Sequence, residues 1–348
     1  MNFWYAHPVG HAIEGLRYAL GYHAADPGLR VSVLLNGAAP VELGNLCPFV
    51  ERTYGVPFTG FCDAEGDPAA ALADVPRDWD HLVDDARGHQ PDQLARFAGL
   101  RRFYEAGGRH FRAGTRGLAG AEPPAYRPHQ QLRLELPAHA DLGPGPWIAV
   151  LPTGSSDGRA AYPSLASWQL VLRELERTLG ARFCLVGKLR QDGRTASRFA
   201  RDELDALLAA FPDALDAFDR PLVEQLALVE ACDLFLSPHT GFGMAALAVA
   251  TPWLTVGGGR WPEWFFNGVP FYSVLPPRDA WYTYFDPPAP ITDERVRADL
   301  PELVEAARTL VEGGLSYEDA LAGHFRRFFD RSPGTRIYSL DAIHERYL

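Results

Sequence analysis

The chain has 348 residues, enough for one large or two medium domains. Its hydrophobic share of 47% fits a folded globular protein, and its formal net charge of −11 argues against non-specific binding to nucleic acid or to an anionic membrane. An anionic ligand would have to be met by locally placed donors, because the overall field does not attract it.

The first residues, MNFWYAHPVG, lack a basic start and a long apolar core, so no secretory signal is expected. No run reaches the roughly 18 apolar residues of a membrane span. The four cysteines, Cys47, Cys62, Cys184 and Cys232, lie far apart without a C-x-x-C pair, and a reduced, cytoplasmic setting is expected. Arginine and alanine are abundant and lysine is nearly absent, which we read as genome composition.

In chain order, Asn2–Ala6 and Val31–Leu35 read as buried strands with a helix at Ile13–Tyr22 between them, a βαβ unit. His81–Val83 is a weaker strand, and Pro91–Glu105 carries Leu94, Phe97, Leu100, Arg101 and Tyr104 at helical spacing. The proline-rich stretch 121–146 is the linker expected between two domains, with a short strand at Leu132–Leu136 within it. The pattern then restarts. Trp147–Leu151 is a strand. Pro163–Leu179 is a helix with Leu165, Trp168, Leu172, Leu175 and Leu179 on one face, and Gly180 suits its end. Arg182–Val186 is a strand and Pro221–Ala231 a helix. Asp233–Val256 reads strand, sharp turn, helix, strand, with His239-Thr240-Gly241 at the turn, and helices near Arg295–Val311 and Tyr317–Phe329 close the chain. Strands alternating with helices imply parallel sheets. The expected fold class is α/β with two Rossmann-like, doubly wound domains and a cleft between them.

Two turns in the second half follow strands, where a doubly wound sheet binds ligands. One is Pro152-Thr153-Gly154-Ser155-Ser156-Asp157-Gly158-Arg159, and the other is Pro238-His239-Thr240-Gly241. Hydroxyls, glycine-permitted backbone approach and a guanidinium together suit a diphosphate, and a helix N-terminus adds its own donors. The plainer reading is that Thr240 and Ser164 merely cap helices. Lys188, just past the third strand, is a weaker candidate for the nucleotide or a solvated lysine. There is no G-x-x-x-x-G-K-[ST] and no G-x-G-x-x-G after the first strand, which disfavours P-loop and dinucleotide enzymes.

In the first half, His11 falls near the start of the first helix, where the helix terminus would keep its imidazole neutral and able to act as a general base. Glu14, one turn on, either orients His11 or is itself the base. A helix-start histidine bonded to backbone is the bland alternative. A metal on His7, His11 and Glu14 is disfavoured, because Pro8 and Gly10 interrupt the helix and H-E-x-x-H is absent. The aromatic residues Trp253, Trp261, Trp264, Phe265, Phe266, Phe271, Tyr272, Trp281, Tyr282, Tyr284 and Phe285 read as inter-domain packing or as a surface stacking on a sugar or base.

The segments LPTGSSDGRAAYPSLASWQLVL and CDLFLSPHTGFGMAALAVATPWLTV resemble the donor domain of the heptosyltransferase-like glycosyltransferases of family 9, which have the GT-B fold. Thr153, Ser155, Ser156 and Arg159 match the family's diphosphate positions, and Thr240 and Gly241 match its D-T-G-x-x-H motif. AHPVGHAIEGLRYAL is more weakly similar to the turn that carries the family's proposed base. His11 and His239 stand where the family has Asp, and Met244 where it has His, which points to a donor other than ADP-heptose. The resemblance implies an acceptor domain at 1–140 and a nucleotide-sugar domain at 147–348, with the closing helices packing back on the first. It implies an inverting, metal-independent transfer, without cofactor, from a nucleotide-diphosphate sugar to an acceptor hydroxyl on a soluble small molecule. A non-hydrolysing sugar-nucleotide epimerase and an idle nucleotide-binding scaffold are the alternatives.

Overall fold

The computed structural model describes residues 2–3, 8–56, 67–83, 98–107, 118–119, 124–155, 158–258, 262–278 and 289–333. Two bodies divide the described chain: residues up to Glu135 together with Asp192–Thr195, and residues Leu136–Gln191 together with those from Ala196 onward.

In the first body, β1 (Asn2–Phe3), β2 (Val31–Asn36) and β3 (Val50–Val56) form a parallel sheet in that order. The expected βαβ unit is present, with α1 running Val9–Ala25 and thus longer at both ends than its apolar stripe. All six residues of β2 are buried, which is why it reads as a continuous apolar run. β3 (VERTYGV) escaped the sequence reading because its first residues, Val50–Thr53, are polar or exposed. α2 (Pro68–Ala71), an antiparallel pair β4 (Leu82–Val83) and β5 (Leu118–Ala119), and α3 (Ala98–Gly107) follow. Of the helix expected over Pro91–Glu105, residues 91–97 lie outside the described residues. Leu34, Tyr54, Val56, Leu72, Val75, Leu82 and Phe103 make the core of this body.

The proline-rich stretch lies against α1 from residue 124. Arg127 donates its backbone N–H to Gly21 O at 2.9 Å, Arg17 Nε donates to Gln130 O at 2.7 Å, and the Tyr126 ring sits 4.9 Å from that of Tyr22. The strand expected at Leu132–Leu136 does not form. Leu132 and Leu134 are buried in alternation, but the backbone meets the end of a 3-10 helix (Val41–Leu46) through one bond, Glu135 N–H to Leu46 O, rather than a strand edge.

The second body contains β6 (Trp147–Val150), α4 (Leu165–Leu179), β7 (Arg182–Leu185), α5 (Arg201–Ala210), β8 (Leu215–Asp216), α6 (Leu222–Glu230), β9 (Leu234–Pro238), α7 (Gly241–Ala248), β10 (Trp253–Val256), β11 (Phe271–Ser273), α8 (Asp293–Val311) and α9 (Tyr317–Arg331). All six strands are parallel, in the order β11-β10-β9-β6-β7-β8. Counted from β6 as first, this is the 3-2-1-4-5-6 order of a doubly wound nucleotide-binding sheet, whose ligand crevice opens where the winding reverses. The reversal lies between β6 and β9. Alternate residues of each strand face opposite layers. Ile148, Val150, Phe183, Leu185, Leu234, Leu236, Leu254 and Val256 join the core under α4, α5 and α8. Phe235 and Trp253 point to the other face, where Phe235 meets Phe242 of α7. Both closing helices, α8 and α9, pack on this second body.

Candidate functional site

The turn after β6 is fixed from three sides. Trp168 of α4 donates its indole N–H to Pro152 O at 3.0 Å, and Arg198 donates its backbone N–H to Gly154 O at 2.9 Å and Nε–H to Ser155 O at 3.2 Å. The turn after β9 lies directly beside it, because β6 and β9 are neighbours and pairing continues to Leu151 N–H on Leu236 O. At Gly154 a Cβ would stand 2.7 Å from the Tyr162 hydroxyl and 3.0 Å from Thr240 Cγ2. A side chain here would press on Tyr162 and Thr240, so glycine lets the two turns come this close without displacing either.

Between these turns lie two buried hydroxyls. Thr153 is 0% exposed and Thr240 is 7% exposed, and among the described residues neither Oγ1 has a hydrogen-bond partner. Thr240 occupies the N-cap position of α7, yet its side chain makes no capping bond. The capping explanation therefore fails for Thr240 and holds for Ser164, whose Oγ accepts the Ser167 backbone N–H at 3.0 Å and donates to Asp293 Oδ1 at 2.5 Å. Ser167 Oγ donates to the same oxygen at 2.6 Å, and these two hydroxyls hold the Asp293 carboxyl below its ordinary range. Gly241 begins α7, and a helix N-terminus is a place where backbone donors can meet an anion.

Arg159 does not face this crevice with open donors. Its Nη2 donates to Glu203 Oε1 at 2.6 Å, Nε to Glu203 Oε2 at 3.3 Å, and Nη1 to Pro163 O at 2.8 Å and Tyr162 O at 3.3 Å. Burial works to raise the Glu203 carboxyl, but the bonds from Arg159 and the Ala200 N–H outweigh it and hold the group low. Arg159 is thus a clamp between the loop and α5. Arg198, exposed and bonded to Ser155 O, is the cation at the turn that sequence reasoning missed. No motif marks it, since its position depends on the chain folding back from β7.

The His239 ring turns into an aromatic cluster. It stacks on Phe265 (centroids 5.2 Å apart, 11° between planes) and lies 4.9 Å from Trp264 and 5.6 Å from Trp253. Beyond Phe265 lies His324 of α9, fully buried among Phe265, Phe271, Phe325 and Phe328, with neither ring nitrogen hydrogen-bonded among the described residues. Burial pushes the His324 imidazole down to about 3, with the charges of Arg327 and His239 adding to the effect. Trp253, Phe265 and Phe271 are therefore core of the second body, which corrects the reading for these three residues, while Trp264, Phe266 and Tyr272 stay half-buried. Trp261, Trp281, Tyr282, Tyr284 and Phe285 lie outside the described residues, as do Ser156 and His7.

Lys188 follows Gly187 at the end of β7, half-buried, with its backbone carbonyl accepting from Ser197 N–H at 2.7 Å. Gln225 braces this edge by accepting from Gly187 N–H at 2.9 Å and donating to Gly187 O at 3.1 Å and Arg220 O at 2.8 Å. In the first body, His11 lies in the first turn of α1 and is half-buried. Glu14 is 5% exposed, and its Oε1 accepts the Tyr18 hydroxyl at 3.0 Å. Among the described residues no three His, Cys, Asp or Glu are grouped to hold a metal ion, and no helix is long and apolar enough to cross a membrane.

The class defined by this architecture is the GT-B type of α/β fold. Among solved structures, the chain is similar to E. coli ADP-heptose lipopolysaccharide heptosyltransferase II (TM-score 0.51, 13% identity, covering 86% of this chain and 97% of that one). It is also similar to E. coli heptosyltransferase WaaC with ADP (TM-score 0.54, 14% identity, 84% and 96% covered) and to a glycosyl transferase family 9 protein from Veillonella parvula DSM 2008 (TM-score 0.54, 10% identity, 90% and 96% covered). No family model matches the sequence, and no curated protein does. The likeness carried by the two turn motifs is thus matched by the fold.

Proposed function

We propose that the protein is a glycosyltransferase that binds a nucleotide-diphosphate sugar on its second body and transfers the sugar, with inversion, to an acceptor hydroxyl presented by its first. The observation that carries this reading is the pair of orphaned hydroxyls, Thr153 and Thr240, flanking the switch point of the sheet. Burying a hydroxyl without a partner costs about 1–3 kcal/mol, a cost that a phosphate oxygen accepting from it would offset. Gly154, Ser155 and Gly241 supply backbone approach, and the α7 terminus stabilises charge on the departing diphosphate. Protein donors then do the work a metal ion does elsewhere. Arg159 serves by holding the turn through Glu203 rather than by touching the ligand, and His239 contributes backbone while its ring anchors the turn in the core.

Of the two candidate bases, His11 is favoured. Glu14 is buried and already accepts from Tyr18, whereas His11 retains exposure. In the proposed step the His11 imidazole takes the acceptor hydroxyl proton as the oxygen bonds to the anomeric carbon, and the bond from that carbon to the diphosphate breaks with the electron pair leaving on phosphate oxygen. The WaaC structure is described as holding ADP, which supports a nucleoside diphosphate as the first ligand to try here. The test is to titrate nucleoside diphosphates by thermal shift, then incubate the protein with the matching nucleotide sugars and acceptor pools and follow released nucleoside diphosphate and glycosylated product. His11→Ala should lose turnover and keep nucleotide binding. Undiminished transfer in that variant would remove the base assignment, and isomerised donor without transfer would remove the reaction class.

A further inference from the structure

The basic residue that the family resemblance sets against the diphosphate, Arg159, is engaged by Glu203 and two carbonyls, so its guanidinium is committed elsewhere. A second arginine is in the opposite condition. The Arg295 side chain is 9% exposed, and its Nε, Nη1 and Nη2 are all buried without a hydrogen-bond partner among the described residues. Among the described residues its ion-pair neighbour is Asp299, whose Oδ2 lies 3.3 Å from Nε, while Nη1 and Nη2 have no such partner. Burial raises the Asp299 carboxyl above its ordinary range, with Glu302 adding to the rise, in spite of Arg295 beside it.

The position of Arg295 compounds the cost. It is the third residue of α8, so its charge sits in the first turn, where the helix dipole disfavours a cation. A buried guanidinium with open donors in a positive helix terminus has every physical reason to find an anion. Its place in the sheet says which one. An added Cβ at Gly257, which has φ +69°, would stand 3.5 Å from Arg295 Nη2. Val256 and Pro238, the last residues of β10 and β9, pair with each other, so Gly257 and the His239-Thr240 turn leave neighbouring strand ends. Neighbouring strands run about 4.8 Å apart, so Nη2 sits at the end of the strand next to the one that carries Thr240.

We infer that Arg295 is the cation of the diphosphate site, its Nη edge held at the carboxyl end of β10 for an oxyanion of the bound diphosphate. The inference rests on the proposed donor reading and adds to it a residue that no motif match supplies. It also predicts a signature that an ordinary structural arginine lacks: removing the side chain should help the ligand-free protein and harm the complex.

The probe is inorganic pyrophosphate, which is independent of base and sugar, followed by calorimetric titration and by melting temperature in the full chain. Arg295→Met should bind pyrophosphate at least about tenfold more weakly, with a ligand-free melting temperature equal to or above that of the parent. Arg295→Met/Asp299→Asn, which removes both charges, should fold as well as the parent and show the same weakened binding; it decides the matter if the single variant does not fold. Pyrophosphate affinity unchanged in whichever of these variants folds overturns the assignment, and so does a binding defect confined to carboxylate-bearing nucleotide sugars. Thr153→Val/Thr240→Val separates the two levels. If that variant loses pyrophosphate while Arg295→Met keeps it, only the role of Arg295 falls. If the parent protein binds neither pyrophosphate nor any nucleoside diphosphate, the donor reading falls and takes Arg295 with it.

Discussion

Two helices start at the same edge of one sheet and use their N-caps in opposite ways. At α4, the Ser164 hydroxyl accepts from Ser167 N–H and donates to Asp293, so both of its hydrogen-bonding roles are filled from within. At α7, the Thr240 hydroxyl is as well buried and fills neither role among the described residues. On the proposed function the difference separates a structural polar group from one that meets a ligand: a satisfied hydroxyl contributes to folding, while a buried unsatisfied one opposes it until something binds.

The largest test of that contrast is Thr153→Val/Thr240→Val, which keeps shape and removes both hydroxyls. Nucleoside diphosphate affinity should drop by about two orders of magnitude in calorimetry, since each charge-assisted bond is worth roughly 1.5–3 kcal/mol, while the melting temperature of the free protein holds or rises. A fall in stability without loss of affinity would reverse the assignment.

His324 offers a buried polar group of a third kind, neutral and enclosed by rings. Its folded-state imidazole lies well below the ordinary histidine value, so the unfolded chain binds the extra proton between pH 6.5 and about 3. Its contribution to stability is complete above pH 6.5 and is lost as pH falls through that window, by up to about 1.4 kcal/mol per pH unit. Arg327 and His239, the charged or titratable groups acting on it, remain in His324→Leu. That variant should show a shallower acid limb in urea unfolding between pH 6.5 and 4, and an unchanged limb would place the acid sensitivity elsewhere.

Arg159→Met leaves Glu203 without its partner and frees the Tyr162 and Pro163 carbonyls. For a half-exposed pair a loss of about 1–2 kcal/mol of stability is expected, with diphosphate affinity within about twofold of the parent. A binding defect without a stability defect would restore Arg159 to the ligand. Ser164→Ala is the mildest change, costing about 1 kcal/mol as a lost cap and leaving affinity unaltered.

Much of the second body was legible from its sequence. The helix over Leu165–Leu179 has a serine cap, a clean apolar stripe and Gly180 at its end, and local chemistry alone fixes it. The strand-turn-helix at Leu234–Ala248 was equally clear. The missed elements lack a local pattern: β8 and β11 are two and three residues long, and α5 buries only Leu204 and Leu207. In the site, residue types and turns could be read, but satisfaction could not. Nothing in the sequence distinguishes Thr240 from Ser164 as a cap, or Arg159 from Arg295 as a cation, because the deciding partners, Asp293, Glu203 and Gly257, come from remote parts of the chain. His239 was read as part of a ligand turn, and its half-buried ring lies against Phe265 and Trp264, which arrive from beyond β10 and leave no mark in the local sequence.

The contact between Gly154 and Thr240 has a consequence for how this protein is made. The strands that bring them together, β6 and β9, are neighbours in space and far apart along the chain, with β7 and β8 added on the other side of β6. A nascent chain emerging as far as β8 can lay down only half the sheet, with β6 as an unprotected edge. The ligand crevice is created when β9 docks on that edge, a long-range closure of the kind that folds late. If the crevice holds a nucleotide as proposed, a donor present during refolding would select chains in which the last central strand has arrived.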